Sequence, residues 1–316
     1  MQITKFKTAT GAAPATVANV CCGFDVFGFA LEQPADEVRV ELTATAHVEI
    51  VSISGDHGIL PREAARNTAG VAVQNYLAHT GWKTGAAIEL RKNLPLGSGM
   101  GSSAASAVAA VLAINALHPD PLPRRDLLPF ALEAERIACG TAHADNAAPS
   151  LLGGFTLIRS YDPLDVVPIS CPSDIRCVLV HPHLEVKTKD AREVLRTSVP
   201  LRDAITQWGN TAGLVAGLLS ADYALISRSL QDVVAEPVRA LLIPGFDAIR
   251  QQARAAGALG CGISGSGPSL FALTRGTETA LAVGQAIEKA FAGMGLHSDV
   301  FLSAINTSGG RVYDVV

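Results

Sequence analysis

Apolar and polar residues alternate over Val38-Arg39-Val40-Glu41-Leu42, the period of two expected of a strand with one buried face. Val48-Glu49-Ile50-Val51 continues that character, and Ala87-Ile88-Glu89-Leu90 predicts another strand. Between them, residues 64–79 place Ala69, Val73 and Leu77 at helical spacing and run into Gly81, which predicts a helix and its stop. An Ala/Val-rich run from Ala104 to Leu117 predicts a second helix, ended by His118-Pro119-Asp120-Pro121. Residues 126–138 set Leu127, Phe130, Ala131 and Leu132 against Glu133, Glu135 and Arg136, a third helix with one apolar face. In the second half, Arg176 to Pro182 predicts a strand, followed by a polar stretch with Lys187, Lys189, Asp190, Arg192 and Glu193. Helices are predicted over 202–230, 246–256 and 277–292, with strands over Ser269–Leu273 and Ser298–Leu302. Pro168, Cys171 and Pro172 interrupt the pattern, so the expectation is an α+β chain of two lobes, 1–172 and 173–316.

Composition narrows the function classes. A chain of 316 residues with 48% hydrophobic content has enough apolar material for two cores, and 17% charged residues argues against disorder. The net charge of −4 speaks against a strongly basic nucleic-acid binder, and 5% aromatics against stacking surfaces. Nowhere does an apolar run reach the ~18–20 residues of a membrane span. Met1 to Lys7 resembles a basic leader, but Thr10, Pro14, Thr16 and Asn19 follow in place of an apolar core, so no signal peptide is expected. Cys21, Cys22, Cys139, Cys171, Cys177 and Cys261 form no metal-binding spacing and are expected to be reduced packing residues in a cytoplasmic protein. Neither a nucleic-acid nor a membrane partner is therefore expected.

The segment richest in chemistry is Pro95-Leu96-Gly97-Ser98-Gly99-Met100-Gly101-Ser102-Ser103-Ala104-Ala105-Ser106. Its glycines permit positive φ and close backbone approach, so successive N–H groups can surround a phosphate. The following helix adds its N-terminal dipole, and a serine hydroxyl at the junction suits Mg²⁺. The spacing is not that of a Walker loop, and read alone the glycines also fit a plain turn before a helix.

The full segment resembles the phosphate loop of the GHMP kinases. Two further stretches agree in order: Pro14-Ala15-Thr16-Val17-Ala18-Asn19-Val20-Cys21-Cys22-Gly23-Phe24-Asp25 and Gly262-Ile263-Ser264-Gly265-Ser266-Gly267-Pro268-Ser269. Within that group, three segments are similar to the homoserine kinases: His143-Ala144-Asp145-Asn146-Ala147-Ala148-Pro149, Lys187-Thr188-Lys189-Asp190-Ala191-Arg192-Glu193 and Glu236-Pro237-Val238-Arg239. The chain departs from the common pattern at Val17, at Cys21-Cys22 and at Met100, which replaces a frequent leucine.

The resemblance implies a two-lobed fold, an N-terminal lobe carrying ATP and a C-terminal α/β sandwich-like lobe helping to enclose the substrate. It implies phosphorylation of the L-homoserine hydroxyl by ATP with Mg²⁺, held by Ser103 and Glu135. Arg192 and Arg239 would face the carboxylate, whose planar geometry suits guanidinium. Asp25 and Asp145 would face the ammonium and hydroxyl, with Asn19, His143 and Thr188 nearby. Asn146 stands where mevalonate-kinase-like relatives carry a proposed aspartate base, and an amide cannot take up the hydroxyl proton. Catalysis by alignment is the implied mechanism. Pro95 to Ser103 would hold the phosphates, with Asn67 and Lys92 near the nucleotide. Without the resemblance, Asn19 and Asp25 read as turn residues, Asp145-Asn146 and Asn67 as helix caps, and Glu133 and Lys92 as solvated side chains. A mevalonate-type kinase and a non-catalytic nucleotide sensor are the competing readings. Dimerisation is common in the family, but no interface pattern stands out in the sequence.

Overall fold

The computed structural model describes residues 7–186 and 188–316. Lys187 and the side chains of Ala138, Cys139, Thr188 and Lys189 lie outside the described residues, and with them the substrate contact expected of Thr188. The first lobe runs β1 (Thr8–Ala18), β2 (Phe27–Thr43), β3 (Val48–Ser54), α1 (Thr68–Thr80), β4 (Gly85–Arg91), α2 (Ser102–Leu117), α3 (Leu128–Cys139), α4 (Ala144–Leu152), β5 (Phe155–Tyr161) and β6 (Leu164–Ile169). The second runs β7 (Ile175–Pro182), α5 (Thr188–Glu193), α6 (Leu201–Ser220), α7 (Tyr223–Ser229), α8 (Glu236–Arg239), α9 (Phe246–Ala255), β8 (Gly260–Ile263), β9 (Leu270–Arg275), α10 (Thr277–Gly293) and β10 (Ser298–Ala304). The chain then returns to the first lobe as β11 (Arg311–Tyr313).

The first sheet has the order β11-β1-β2-β4-β3, with β5 also on β2 and β6 on β5. Its β3–β4 pair is parallel because α1 supplies the crossover such a pair needs. The second sheet has the order β10-β7-β9-β8. Alternation on β7 and β9 divides its residues between two cores. Cys177, Leu179, Phe271 and Leu273 join the core of the first lobe, while Val178, Val180, Leu270 and Ala272 face α9 and α10. The main core thus runs through both lobes. Helix α2 is buried along most of its length, and its alanines let it lie close on β1; a Cβ on Gly11 would stand 2.0 Å from the Ala109 carbonyl oxygen.

Several elements differ from expectation. The helix expected over 202–230 is two helices, because Ala221 turns left-handed (φ 56°) and Asp222 caps α7 by accepting from the Leu225 N–H. The helix expected from 64 begins at Thr68, after a short 3-10 turn over Ala64–Arg66, with Asn67 as its cap. Strands β1, β5, β6, β8 and β11 were not signalled: β1 is buried on both faces and so has no alternation to read. The division expected at 172/173 falls between β6 and β7, yet β11 pairs with β1, so the last residues belong to the first sheet.

Phe29 on β2 lies 4.7 Å, centroid to centroid, from Phe155 and 6.2 Å from Phe271 on the second sheet. This trio joins the lobes through contacts that are completely buried. Phe29→Ala is expected to cost about 3–5 kcal/mol in urea unfolding. The loss should appear as one shifted transition rather than two, since the core it opens is shared.

Candidate active site

The glycine-rich loop between β4 and α2 is left-handed at Gly97, Gly99 and Gly101, with φ of 66°, 76° and 70°. Space as well as φ demands glycine at two of these: a Cβ on Gly99 would meet the Ser264 carbonyl oxygen at 2.4 Å, and one on Gly101 the Thr16 hydroxyl at 2.1 Å. Both lobes hold the loop through its carbonyls. Thr16 N–H donates to Met100 (3.0 Å), the Ser264 hydroxyl to Gly99 (2.7 Å) and Ser269 N–H to Ser98 (3.2 Å). No side-chain hydrogen bond caps α2 at Gly101, and a helix N-terminus of this kind suits an anion. Ser98 Oγ donates to Pro95 O (2.7 Å), and Met100 is fully buried, which fixes the outer curve of the loop.

Beneath the loop lies an ion pair between Lys92 and Asp36, both side chains essentially sealed from solvent. Lys92 Nζ also donates to Ser102 O (2.8 Å) and Ser106 Oγ (2.7 Å). Asp36 accepts from Ser106 Oγ (3.0 Å) and from the N–H groups of Asn93 (2.9 Å) and Leu94 (3.0 Å). Lys92 thereby ties the start of α2 to β2 and to the chain entering the loop. Asn67 likewise spends its polar atoms locally, accepting from Ala69 N–H (3.0 Å) and donating to Pro61 O (3.0 Å).

One cavity of about 390 Å³ gathers Asn19, Asp25, Glu135, His143, Asp145, Asn146 and Arg192 against Gly97–Ser103. A second, of about 510 Å³, adjoins it at Gly97, Ser102 and Ser103 and is walled by Ile59, Leu60, Pro61, Leu96, Asn67 and Ile137. A mostly apolar slot beside a phosphate loop suits a planar base.

Glu135 lies on the wall of the first cavity beside Ser103. It is 3% exposed, and its Oε1 has no hydrogen-bond partner. Burial pushes its carboxyl up to about 7, against the opposing effects of a hydrogen bond from Ser103 and the charge of Lys92. A buried carboxylate oxygen without a partner, beside a hydroxyl, is a donor set that fits Mg²⁺, which usually keeps few protein ligands and completes its shell with phosphate and water. The neighbouring Glu133 faces outward and pairs with Arg136 (2.7 Å).

The opposite end is built on a left-handed run, Asn19, Val20, Cys21 and then Asp25, with φ of 71°, 41°, 56° and 58°. Asn19 holds that turn: its amide donates to Gly265 O (2.7 Å) and its Oδ1 accepts from Asp25 N–H (3.0 Å). Asp25 meets Arg192 at 2.7 Å. Asp145 and Asn146 stand on the first turn of α4, after His143. Asp145 is 2% exposed with Oδ1 unpartnered, and burial, then the charge of Asp25, push its carboxyl up to about 7. Asn146 Oδ1 accepts from the Thr16 hydroxyl (2.8 Å). Burial lowers the basicity of His143; the charges of Arg192 and Arg239 act the same way and Asp25 opposes them, which favours the neutral imidazole.

Arg239 does not line this cavity. Its guanidinium donates to Ala191 O (3.0 Å) and Gly265 O (3.0 Å), bracing α5 against the C-terminal glycine turn. Both arginines lie over the Phe24 ring, at 5.8 Å for Arg192 and 5.0 Å for Arg239. Cys21 and Cys22 are buried free thiols, that of Cys22 pushed up to about 12 by burial. Sequence reasoning missed Thr16, Phe24 and Asp36, and the apolar wall at Ile59, Leu60 and Ile137. Thr16 and Phe24 lay inside a recognised motif, whereas Asp36 carries no local signal at all.

Residues 67–154 match the GHMP kinases N terminal domain and 214–293 the GHMP kinases C terminal. A homoserine kinase of Chlorobium phaeovibrioides is 52% identical, covering 97% of this chain and 99% of the relative. One from Xylella fastidiosa is 41% identical, covering 95% and 92%. The crystal structure of a homoserine kinase from Cytophaga hutchinsonii superposes with a TM-score of 0.96 at 52% identity, covering 99% of each chain. A mevalonate kinase of Staphylococcus aureus shares the fold at a TM-score of 0.62 and 16% identity, covering 95% of this chain and 99% of that one.

The raised carboxyl of Asp145 has a signed consequence. Unfolded, it ionises near pH 4; folded, only near 7, so the unliganded fold loses stability as pH rises between those values and stays penalised above them. Asp145→Asn is expected to stabilise the unliganded protein by roughly 1–3 kcal/mol at pH 8, with the gain vanishing near pH 4. Denaturant unfolding at the two pH values checks this.

Proposed function

The chain belongs to the homoserine kinases, a branch of the GHMP kinases, and from that premise we propose how its residues transfer the γ-phosphoryl group of ATP to the hydroxyl of L-homoserine. The observation that carries the reading is a pair of buried carboxylates, Glu135 and Asp145, each with an oxygen lacking a partner, lining one cavity with the phosphate loop along its wall. Each calls for a cation: Mg²⁺ at Glu135 and the substrate ammonium at Asp145.

The loop from Gly97 to Ser103 and the first turn of α2 bind the ATP phosphates, and the adjoining apolar slot takes the base. Ser103 and Glu135 hold Mg²⁺, which when bound neutralises charge on the phosphates. Arg192 presents its guanidinium to the substrate carboxylate while Asp25 fixes the side chain from behind. Asn19 and Arg239 position these groups by clamping Gly265. The homoserine oxygen attacks the γ-phosphorus, the bond to the β–γ bridging oxygen breaks, and ADP leaves. Asn146, whose carbonyl oxygen is engaged by Thr16, takes no proton. The hydroxyl proton passes to the transferred phosphoryl group or to water, so rate enhancement comes from alignment and charge, as phosphoryl transfer permits. The intact loop together with Ser103 and Glu135 supports an enzyme over a nucleotide sensor.

Coupled ADP release with L-homoserine, mevalonate and galactose tests the reading: turnover with homoserine alone is expected, and turnover with either other alcohol and not homoserine would overturn it. Arg192→Ala should raise KM for homoserine at least tenfold, about 1.4 kcal/mol, leaving KM for ATP nearly unchanged. Glu135→Gln should lower kcat by about a hundredfold or more and demand higher Mg²⁺.

A further inference from the structure

We propose that Tyr161 is a positioning residue for the substrate: its hydroxyl holds the backbone of Asp25, so that the Asp25 carboxylate keeps Arg192 aimed at the homoserine carboxylate. This role presupposes the homoserine site above and adds to it a residue that lies outside every motif of the sequence. Tyr161 is the last residue of β5. Its ring is 44% exposed, so burial of apolar surface does not account for an aromatic here. The hydroxyl does: it turns inward and donates to the Asp25 carbonyl (2.8 Å), as the polar end of a tyrosine does when it finds a partner.

Asp25 needs such a hold. Its φ of 58° lies in the left-handed region, where a residue other than glycine stays only if its surroundings fix it. Both of its backbone groups are taken by side chains from elsewhere: Asn19 Oδ1 accepts from the N–H (3.0 Å), and Tyr161 occupies the carbonyl. The path of β5 makes the second contact possible. It pairs with β2 from Phe29–Phe155 to Phe27–Leu157, and Ile158 N–H donates to Val26 O (2.7 Å), so the strand follows the chain back to the turn and brings Tyr161 to Asp25. The Asp25 carboxylate in turn meets Arg192 at 2.7 Å. A partly exposed ion pair of this kind directs a guanidinium only as firmly as its own backbone is held, because side-chain freedom and water otherwise offset the attraction.

The phenol also sits where it remains a donor. Burial, and then the charges of Asp145 and Asp25, hold its acidity well above the usual tyrosine range, against the opposing effects of the Ala144 backbone and Arg192. It therefore stays protonated through neutral pH, and its hold on Asp25 does not switch there. Tyr161 does not line the cavity, so it acts through Asp25 and not by touching the substrate.

Steady-state kinetics and amide exchange of Tyr161→Phe test this, since the change removes the hydroxyl and keeps the ring. Through KM, kcat/KM for homoserine should fall about three- to tenfold, the worth of one hydrogen bond, while KM for ATP stays at its wild-type value. In an Arg192→Ala background the same substitution should change kcat/KM by less than about twofold, because the group it positions is gone. Independently of turnover, hydrogen exchange of the unliganded chain should quicken about three- to tenfold at the amides of Asp25 and Val26, with the main core unchanged. A Tyr161→Phe enzyme with wild-type KM for homoserine, an equal rise in KM for ATP, or an undiminished effect in Arg192→Ala would each overturn the proposal, and so would unchanged exchange at Asp25 and Val26. A wild-type chain that turns over a different alcohol contradicts the homoserine reading instead, and the exchange measurement then decides whether Tyr161 holds the turn.

Discussion

Backbone carbonyls of Ser98, Gly99 and Met100 are held by Ser269, Ser264 and Thr16, and this grip on the glycine loop is the constraint from which the site follows. Two of those partners lie in the second lobe and one on β1, so the loop has its shape only when the lobes are packed together. The shared core makes that packing obligatory rather than hinged, with Phe29 and Phe155 of the first sheet against Phe271 of the second. From below, Asp36 and Lys92 fasten both sides of the loop to β2. A buried pair of this kind is not a cheap source of stability, since desolvating two charges offsets most of their attraction. Its value lies in geometry: it fixes the start of α2 where the helix dipole faces the cavity.

Once the loop is in place, the remaining groups work by leaving interactions unfinished. Glu135 and Asp145 are buried with oxygens that the protein does not satisfy, and burial raises both carboxyls. Such groups weaken the empty fold and favour any state in which a cation arrives. Ligand binding and stability are thereby coupled: a cation that binds the folded chain at these groups offsets the cost of burying them. Nearby groups do the reverse. Asn19, Asn146 and Arg239 each hydrogen-bond to protein partners, which holds the site's shape.

The parts of this design that were legible in the sequence are those written in local backbone chemistry. The spacing of Gly97, Gly99 and Gly101 before an Ala-rich helix fitted a phosphate loop or a plain turn, and the resemblance of the whole of Pro95 to Ser106 to a known motif chose between them. The motifs at 14–25, 143–149 and 262–269 placed most of the cavity's side chains. What escaped depends on distant partners. Lys92 is buried rather than solvated because Asp36, on β2, receives it. The partners of Arg239, the carbonyls of Ala191 and Gly265, are likewise distant in the sequence. Strand β1 has no alternation because both of its faces are covered, and the break at Ala221 is a single left-handed residue in an otherwise helical run.

The most direct test of the loop-centred site is a crystal structure of the chain with a non-hydrolysable ATP analogue, Mg²⁺ and L-homoserine. The expected result has the phosphates on the backbone N–H groups of Gly97–Ser103, the metal on Ser103 and Glu135, and the homoserine ammonium at Asp145 with its carboxylate at Arg192. A nucleotide bound away from the loop, or a substrate whose ammonium leaves Asp145 unmet, would contradict it.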